Sequence, residues 1–299
     1  MHVLVTGSSG FIGSALVPFL TTAGHRVRRL VRRSPMPQRA EVRWDPAAGT
    51  IDAEGLNGLD AVVHLTGENI ATGRWTAQKK ASLRESRVRS TRLLCETLAR
   101  MRLPPQTLVC ASAIGYYGDR GDEELTEASS VGSGFLAELC RDWEAAAAPA
   151  IERGLRVVHL RFGVVLSPSG GPLRLMLLPF RLGLGGPLGH GRQYFSWVAL
   201  DDALGAIHQA LTHDGLRGPA NVVSPNPVTN REFTRVLAGV LHRPAVLPAP
   251  PVALRLAFGQ MADEALLASA RVMPSKLLAS GYRFLHPNLE AALRHLLGV

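Results

Sequence analysis

Short apolar runs alternate with longer stretches of helical period through the first half of the chain. "HVLVT" (2–6) is a continuous apolar run, the pattern of a strand buried on both faces. Residues 11–23 read as a helix stopped by Gly24, "HRVRRLV" (25–31) as a second strand, and "DAVVHLTG" (60–67) as another buried strand ending in glycine. A long helical stretch over about 76–102 is stopped by "LPP". "TLVCAS" (107–112) then predicts a strand, 133–153 a helix and "LRVVHLR" (155–161) a strand. Strands that alternate with helices predict an α/β fold with a parallel sheet covered on both faces.

The texture changes after 162. "GVVLSPSGGP" and "RLGLGGPLGHGRQ" (181–193) are rich in glycine and proline and predict loops. A helix over 201–212 and a strand over 220–224 are expected to return to the main sheet. Helical patterns at 230–241, 251–268 and 288–297, broken by prolines, predict a smaller, loop-rich lobe. The expected division is residues 1–161 with 201–224 as the main domain, and 162–200 with 225–299 as the lobe.

Composition narrows the class. The chain has 299 residues, 46% of them apolar and 19% charged, which suits a substantial core rather than a disordered chain. The formal charge of +9 is almost all arginine, since Lys79, Lys80 and Lys276 are the only lysines. The charges are scattered, with no dense basic run interleaved with aromatics, so nucleic acid is not an expected partner. Cys95, Cys110 and Cys140 are odd in number and fit no metal spacing, which predicts reduced thiols and a cytoplasmic protein. The ten histidines include no H-E-x-x-H and no close pair, so no metal is expected. The uncharged stretch 3–24 lacks a basic leader and contains four glycines and a proline, so it reads as strand, turn and helix rather than signal or membrane span.

"VTGSSGFIGS" (5–14) sets Gly7, Gly10 and Gly13 between the first strand and the first helix. In that context Gly7 allows a tight turn, Gly10 lets a pyrophosphate approach the backbone, and Gly13 lets helix and strand pack closely. The free N–H groups and positive dipole end of the helix then face the phosphates.

With its G-x-x-G-x-x-G spacing after Thr6, the segment resembles the extended short-chain dehydrogenase/reductase superfamily. "DAVVHLTG" and "RVRSTRLLCETL" (87–98) continue the likeness, with Arg87 where an Asn is usual. "GENIATGRW", "SAIGYYGDRG", "LRFGVVLSPSGGPL", "PFRLGLGGPLGHGRQYFSW" and "NVVSPNPVTNREF" together look like its NAD-dependent epimerase/dehydratase-like "epimerase family" branch. The resemblance implies a Rossmann-like doubly wound sheet with a C-terminal substrate lobe. It also implies cofactor contacts from Thr6, Gly7, Gly10, Phe11, Ile12 and Gly13, from Leu65, Thr66 and Gly67, and from Arg87.

A preference for NAD usually needs an acidic residue at the end of the second strand. Val31-Arg32-Arg33-Ser34 stands there instead. Guanidinium groups bind phosphate by paired hydrogen bonds, so the expected cofactor is NADP(H), with Arg32 ahead of Arg33 as the 2′-phosphate ligand. Asp45 resembles the acidic position near the adenine in relatives; capping a turn explains it equally well.

Short-chain reductases move a proton with a Tyr-x-x-x-Lys pair and an upstream serine. Four residues beyond Tyr116, Tyr117, Tyr194 and Tyr282 lie Arg120, Gly121, Val198 and His286, so the pair is absent. Phe135 holds the tyrosine's place, and the lysine's falls near Leu139 or Cys140. Ser112 stands where the serine is expected, and Tyr116 or Tyr117, at the carboxyl end of its strand, is the candidate substitute acid/base. Either ring could instead be a packing group. In "GLGGPLGHGRQYFSW" (183–197), Arg192, Gln193 and Trp197 are candidate substrate contacts, the Trp by stacking on a sugar or base or else by anchoring the loop. Asp201 and Asp202 are expected to cap a helix, and His64 to be a satisfied core histidine.

The expected function is an NADP(H)-dependent oxidoreductase or epimerase acting on a small sugar-like or nucleotide-linked substrate. The alternative is a nucleotide-binding sensor or regulator without turnover, as some relatives are described as cell-division inhibitors. A small molecule is the expected partner, not nucleic acid or membrane, and a homodimer is one possible assembly.

Overall fold

The computed structural model describes residues 1–299, the side chain of Pro37 excepted. Its central sheet contains β1 (His2–Thr6), β2 (Arg26–Val31), β3 (Glu41–Asp45), β4 (Thr50–Ile51), β5 (Ala61–His64) and β6 (Thr107–Ala113). After the short β7 (Glu124–Leu125) come β8 (Arg156–Phe162), β9 (Val164–Leu166), β10 (Tyr194–Phe195), β11 (Trp197–Ala199) and β12 (Gly218–Val222), then β13 (Val228–Thr229) and β14 (Arg271–Val272). Eight strands form one sheet in the order β12-β8-β6-β5-β1-β2-β3-β4, parallel except for β4, which returns antiparallel on β3. The order reverses between β1 and β5, and a crevice outside the carboxyl ends of strands at such a switch point is where doubly wound sheets bind ligands.

The helices are α1 (Phe11–Thr22), α2 (Ala77–Arg84), α3 (Ser90–Arg100), α4 (Phe135–Ala145), α5 (Ala148–Glu152), α6 (Gly171–Arg181), α7 (Leu200–Thr212), α8 (Asn230–Val240), α9 (Pro251–Phe258), α10 (Ser275–Ala279) and α11 (Leu289–Leu297). Alternate residues of β1 enter opposite cores, as strand geometry requires. Val3 and Val5 pack with Leu16 and Leu20 of α1 and Ile207 of α7. Leu4 packs with Leu94 and Leu98 of α3 on the other face. A separate core joins Leu173 and Leu177 of α6 to Phe233 and Leu237 of α8 and Leu293 of α11.

Several elements depart from their expected form. The stretch 76–102 is helical, but residues Glu85–Arg89 form a wide π-helical turn between α2 and α3. The helix expected over 133–153 splits in two, with Pro149 in the first turn of α5; proline has no N–H to donate and its ring clashes with the carbonyl four residues back. The helix expected over 251–268 breaks at Gly259, whose φ of 59° ends α9. Helix α6 was hidden between glycine-rich flanks, although Leu173, Leu177 and Phe180 bury one helical face. Within the stretch expected in the lobe, α10 lies along β12 and puts Leu277 into the core with α1 and α7.

Asp202 does not cap α7. The helix starts from Ala199 with no side-chain cap. The Asp202 carboxylate is buried and accepts from the backbone N–H groups of Leu285 and His286 at 2.6 and 2.9 Å. The other end of α7 is closed by Arg156, which donates to the carbonyls of Ala210, Leu211 and Leu216.

Candidate functional site

The turn after β1 is built as its glycines require. Gly7 has φ 65°, and a side chain on it would meet the Leu65 carbonyl at 2.8 Å. A Cβ on Gly13 would lie 2.2 Å from the Gly7 oxygen, so only glycine lets α1 come this close to the loop. Helix α1 begins at Gly10 with no side-chain cap and no acidic residue in its first turn. Its N-terminal N–H groups thus keep the partial positive charge that suits a phosphate. Phe11 is partly buried, with Gly170 and Gly171 so near its ring that a Cβ on either would clash, so the glycines of "SGGP" make room for the Phe11 ring as well as forming a loop. Ile12 is half-buried beside it.

Thr6 ties the two strands at the switch point. Its hydroxyl accepts from the Leu65 N–H at 3.2 Å and the Thr66 hydroxyl at 2.9 Å, and donates to His64 Nδ1 at 2.8 Å. That assigns the proton of His64 to Nε2, which donates to Thr91 Oγ1 at 3.0 Å; the Trp143 indole donates to the same oxygen at 3.0 Å. Burial lowers the His64 pKa from 6.5 to about 4, so the ring is a neutral, satisfied core histidine.

Arg87 reaches the same crevice from the π turn. Its guanidinium donates to the Glu68 carbonyl at 2.8 Å and the Leu83 carbonyl at 3.2 Å. It lies against Gly67, where a Cβ would meet Arg87 Cζ at 3.2 Å, and 5.1 Å from the Trp143 ring centroid. Burial lowers its pKa, but an arginine remains a cation. A π turn commonly marks a functional position.

The residues beyond β2 differ from one another. Arg33 donates to Glu41 Oε1 at 2.6 Å and to the Ser34 carbonyl. The Arg33 hydrogen bond holds the Glu41 carboxyl below its usual range. Arg32 is exposed and, among the described residues, has no side-chain hydrogen bond or ion pair. Asp45 caps its own turn, accepting from the N–H groups of Ala47 and Ala48 at 2.9 and 3.1 Å.

At the carboxyl ends of β6, β8 and β12, register puts Ser112 beside Arg161 and Arg161 beside Asn221. Ser112 donates to Glu144 Oε1 at 2.7 Å, and Arg161 grips both Glu144 oxygens at 2.8 Å. Arg161 also donates to the Tyr117 hydroxyl at 3.0 Å, which donates to Asn221 Oδ1 at 2.8 Å. Burial is the largest single influence and opposes the charge on Arg161, but the hydrogen bonds and charge of Glu144, with the Tyr117 hydroxyl, together exceed it and hold the guanidinium above its ordinary value. Burial keeps the Tyr117 phenol above its ordinary value despite Arg161.

Tyr117 therefore departs from the expectation of a substitute acid/base. Its side chain is fully buried and its hydroxyl is committed on both sides. Ser112 is likewise buried and spoken for by Glu144. Tyr116 is different: it is half-buried, Arg161 Cζ lies 3.5 Å from its ring centroid, and its hydroxyl has no hydrogen bond among the described residues. The helix expected to carry the shuttle starts with Phe135 and buries Leu139 and Cys140; burial pushes the Cys140 thiol up to about 12. Its first N–H groups, on Phe135 and Leu136, are capped by Glu264 at 3.1 and 2.8 Å. Glu264 lies some 130 positions away, and no local pattern could have found it.

The glycine-rich loop packs on the lobe. Gly186 passes so close to the Leu247 carbonyl that a Cβ would lie 1.8 Å from it. Arg192 is exposed, with its guanidinium free of partners among the described residues. The buried Gln193 amide donates to the carbonyls of Leu188 and Leu266 at 3.0 and 3.2 Å, leaving its oxygen unpartnered. Trp197 corrects its expected role: it is completely buried with Leu166, Val228 and Phe233, so it anchors the loop and offers no face to a ligand.

The parallel sheet, glycine turn and bare helix end define a dinucleotide-binding α/β fold. The profile of the NAD dependent epimerase/dehydratase family matches residues 3–224, and a domain of unknown function matches 249–296. An epimerase family protein of Mycobacterium tuberculosis is 47% identical over 291 residues, which cover 97% of this chain and 96% of that one. The crystal structure of human epimerase family protein SDR39U1 (isoform 2) with NADPH superposes with a TM-score of 0.91 at 37% identity, covering 99% of both chains. The nucleoside-diphosphate sugar epimerase of Corynebacterium glutamicum does so with a TM-score of 0.83 at 40% identity, covering all of this chain and 58% of that one. The chain belongs to the NAD dependent epimerase/dehydratase family. No helix among the described residues is long and apolar enough to cross a membrane.

Proposed function

We propose that the protein is an NADP(H)-dependent reductase or epimerase-like enzyme acting on a small sugar-like or nucleotide-linked alcohol or carbonyl. The observation that carries this is the pairing of a close-packed turn, which a Cβ on Gly7 or Gly13 would force apart, with an unpartnered Arg32 just after β2, where the sequence places Arg32-Arg33 and no acidic residue. The α1 N-terminus would hold the pyrophosphate and Arg32 the 2′-phosphate. The relative crystallised with NADPH supports the same choice of nucleotide.

When bound, the nicotinamide supplies hydride transfer. The chain's own task is to hold a proton near the substrate oxygen. Tyr116 is the side chain suited to it, with a free hydroxyl and the fixed charge of Arg161 against its ring. Ser112, Glu144, Arg161 and Tyr117 form the buried frame behind it. Arg192 would take a phosphate or carboxylate of the substrate.

The closed circuit of Ser112 and Tyr117, with no Tyr-x-x-x-Lys, favours a second reading: a nucleotide sensor without turnover. One experiment separates the two. The protein is mixed with NADPH and a panel of sugar nucleotides and carbonyls, following reduced-cofactor absorbance and epimer formation. Turnover lost in Tyr116→Phe supports the enzyme; tight NADPH binding without turnover supports the sensor; no binding of NADPH overturns both.

A further inference from the structure

Away from the crevice, three side chains of metal-ligand type meet at one place. Asp201 stands in the first turn of α7, His286 in the segment before α11, and His295 in the last turn of α11. One ligand atom from each lies within 4.8 Å of the others. His295 Nε2 is 3.3 Å from Asp201 Oδ2, and the His286 and His295 rings stack with centroids 4.1 Å apart.

The backbone beneath these side chains is held in place. Buried Asp202, next to Asp201, accepts from the His286 N–H at 2.9 Å, so the two aspartates divide the work: one fixes the loop, the other faces the imidazoles. Asn288 caps α11 through the N–H groups of Glu290 and Ala291, and Leu289 and Leu293 seat the helix in the lobe core. The His286 ring makes no side-chain hydrogen bond among the described residues, so its nitrogens are not already claimed by the protein.

We propose that Asp201, His286 and His295 form a binding site for a divalent transition metal of the zinc class. Two imidazoles and one carboxylate suit Zn²⁺, Co²⁺ or Ni²⁺ better than Mg²⁺ or Ca²⁺, which prefer oxygen ligands. Bonds of about 2.1 Å in a tetrahedron hold donors about 3.4 Å apart, and the His295–Asp201 pair already stands at 3.3 Å. Closing the third donor requires the stacked rings to fan apart by a side-chain rotation. Water would complete the coordination on the exposed side. The cation would staple α7, which packs on the sheet, to α11, which packs in the separate lobe core.

The test uses the full chain, free of any affinity tag and stripped with EDTA. Zn²⁺ is titrated in by calorimetry, and Co²⁺ by its visible absorption. About one equivalent should bind with a Kd of about 10 μM or tighter and raise the Tm. Asp201→Asn and His295→Ala should each weaken binding about tenfold or more and abolish the Co²⁺ band, while their metal-free Tm stays close to that of the parent. His208→Ala breaks the other close imidazole pair, His25 Nε2 and His208 Nε2 at 3.1 Å, and should change neither reading. No saturable binding below about 1 mM, or binding lost in His208→Ala and kept in His295→Ala, overturns the proposal.

Discussion

The Tyr117 hydroxyl lies 2.8 Å from Asn221 Oδ1, joining residues 104 positions apart in the chain through a contact with no access to water. Its neighbour Tyr116 has no such partner, so two adjacent tyrosines in "GYYG" serve different ends.

Tyr117→Phe should therefore act on stability. Removing the hydroxyl leaves Asn221 and Arg161 short of a partner in a buried place, a loss of about 1–3 kcal/mol. Urea unfolding should register it, while NADPH affinity stays unchanged. Tyr116→Phe should do the reverse, leaving the unfolding midpoint within error and removing turnover.

Gly13→Ala tests the glycine turn. The added methyl would sit 2.2 Å from the Gly7 oxygen, and because that atom is backbone the loop itself must move. Stability should fall by about 1–3 kcal/mol, with NADPH affinity falling alongside. Calorimetry on the folded variant checks the second effect separately.

Arg32→Ala should raise the Kd for NADPH by about tenfold or more and leave that for NADH within about twofold, since only the former carries the 2′-phosphate. Arg33→Ala should do less, because Arg33 is already paired with Glu41. Equal losses for both nucleotides would remove Arg32 from the phosphate site.

His64 makes folding sensitive to acid. Its pKa is 6.5 when unfolded and about 4 in the buried, neutral state. Between those values the unfolded chain binds more protons. The stabilisation is thus complete above pH 6.5 and lost as the pH falls toward 4, about 3 kcal/mol at ~1.4 kcal/mol per unit. Burial lowers His159 and His25 in the same direction, so the slope has further contributors. Unfolding free energies of the parent and of His64→Gln, measured from pH 7.5 to 4.5, should show a shallower slope in the variant.

Much of the architecture was legible along the chain. Val3–Val5, Ala61–Val63 and Leu108–Val109 are continuous apolar runs because a central parallel strand is buried on both faces. The turn from Gly7 to Gly13 was legible because the glycines that a close approach demands lie within one contiguous segment. Helix α6 was not, since glycine and proline on both sides masked its apolar spacing.

Local pattern by itself determined the strand and helix alternation, the glycine turn at the head of α1, the arginines after β2 and the want of a Tyr-x-x-x-Lys pair. Only the tertiary structure decided that Tyr117 is braced while Tyr116 is free, that Trp197 is core, that Glu264 caps α4, and that Asp201 meets His295 across 94 positions. The reason is physical. Hydrophobic period and turn chemistry act between near neighbours, whereas the pairing of buried polar groups depends on strand register and helix packing, which bring Ser112, Arg161 and Asn221 into one row.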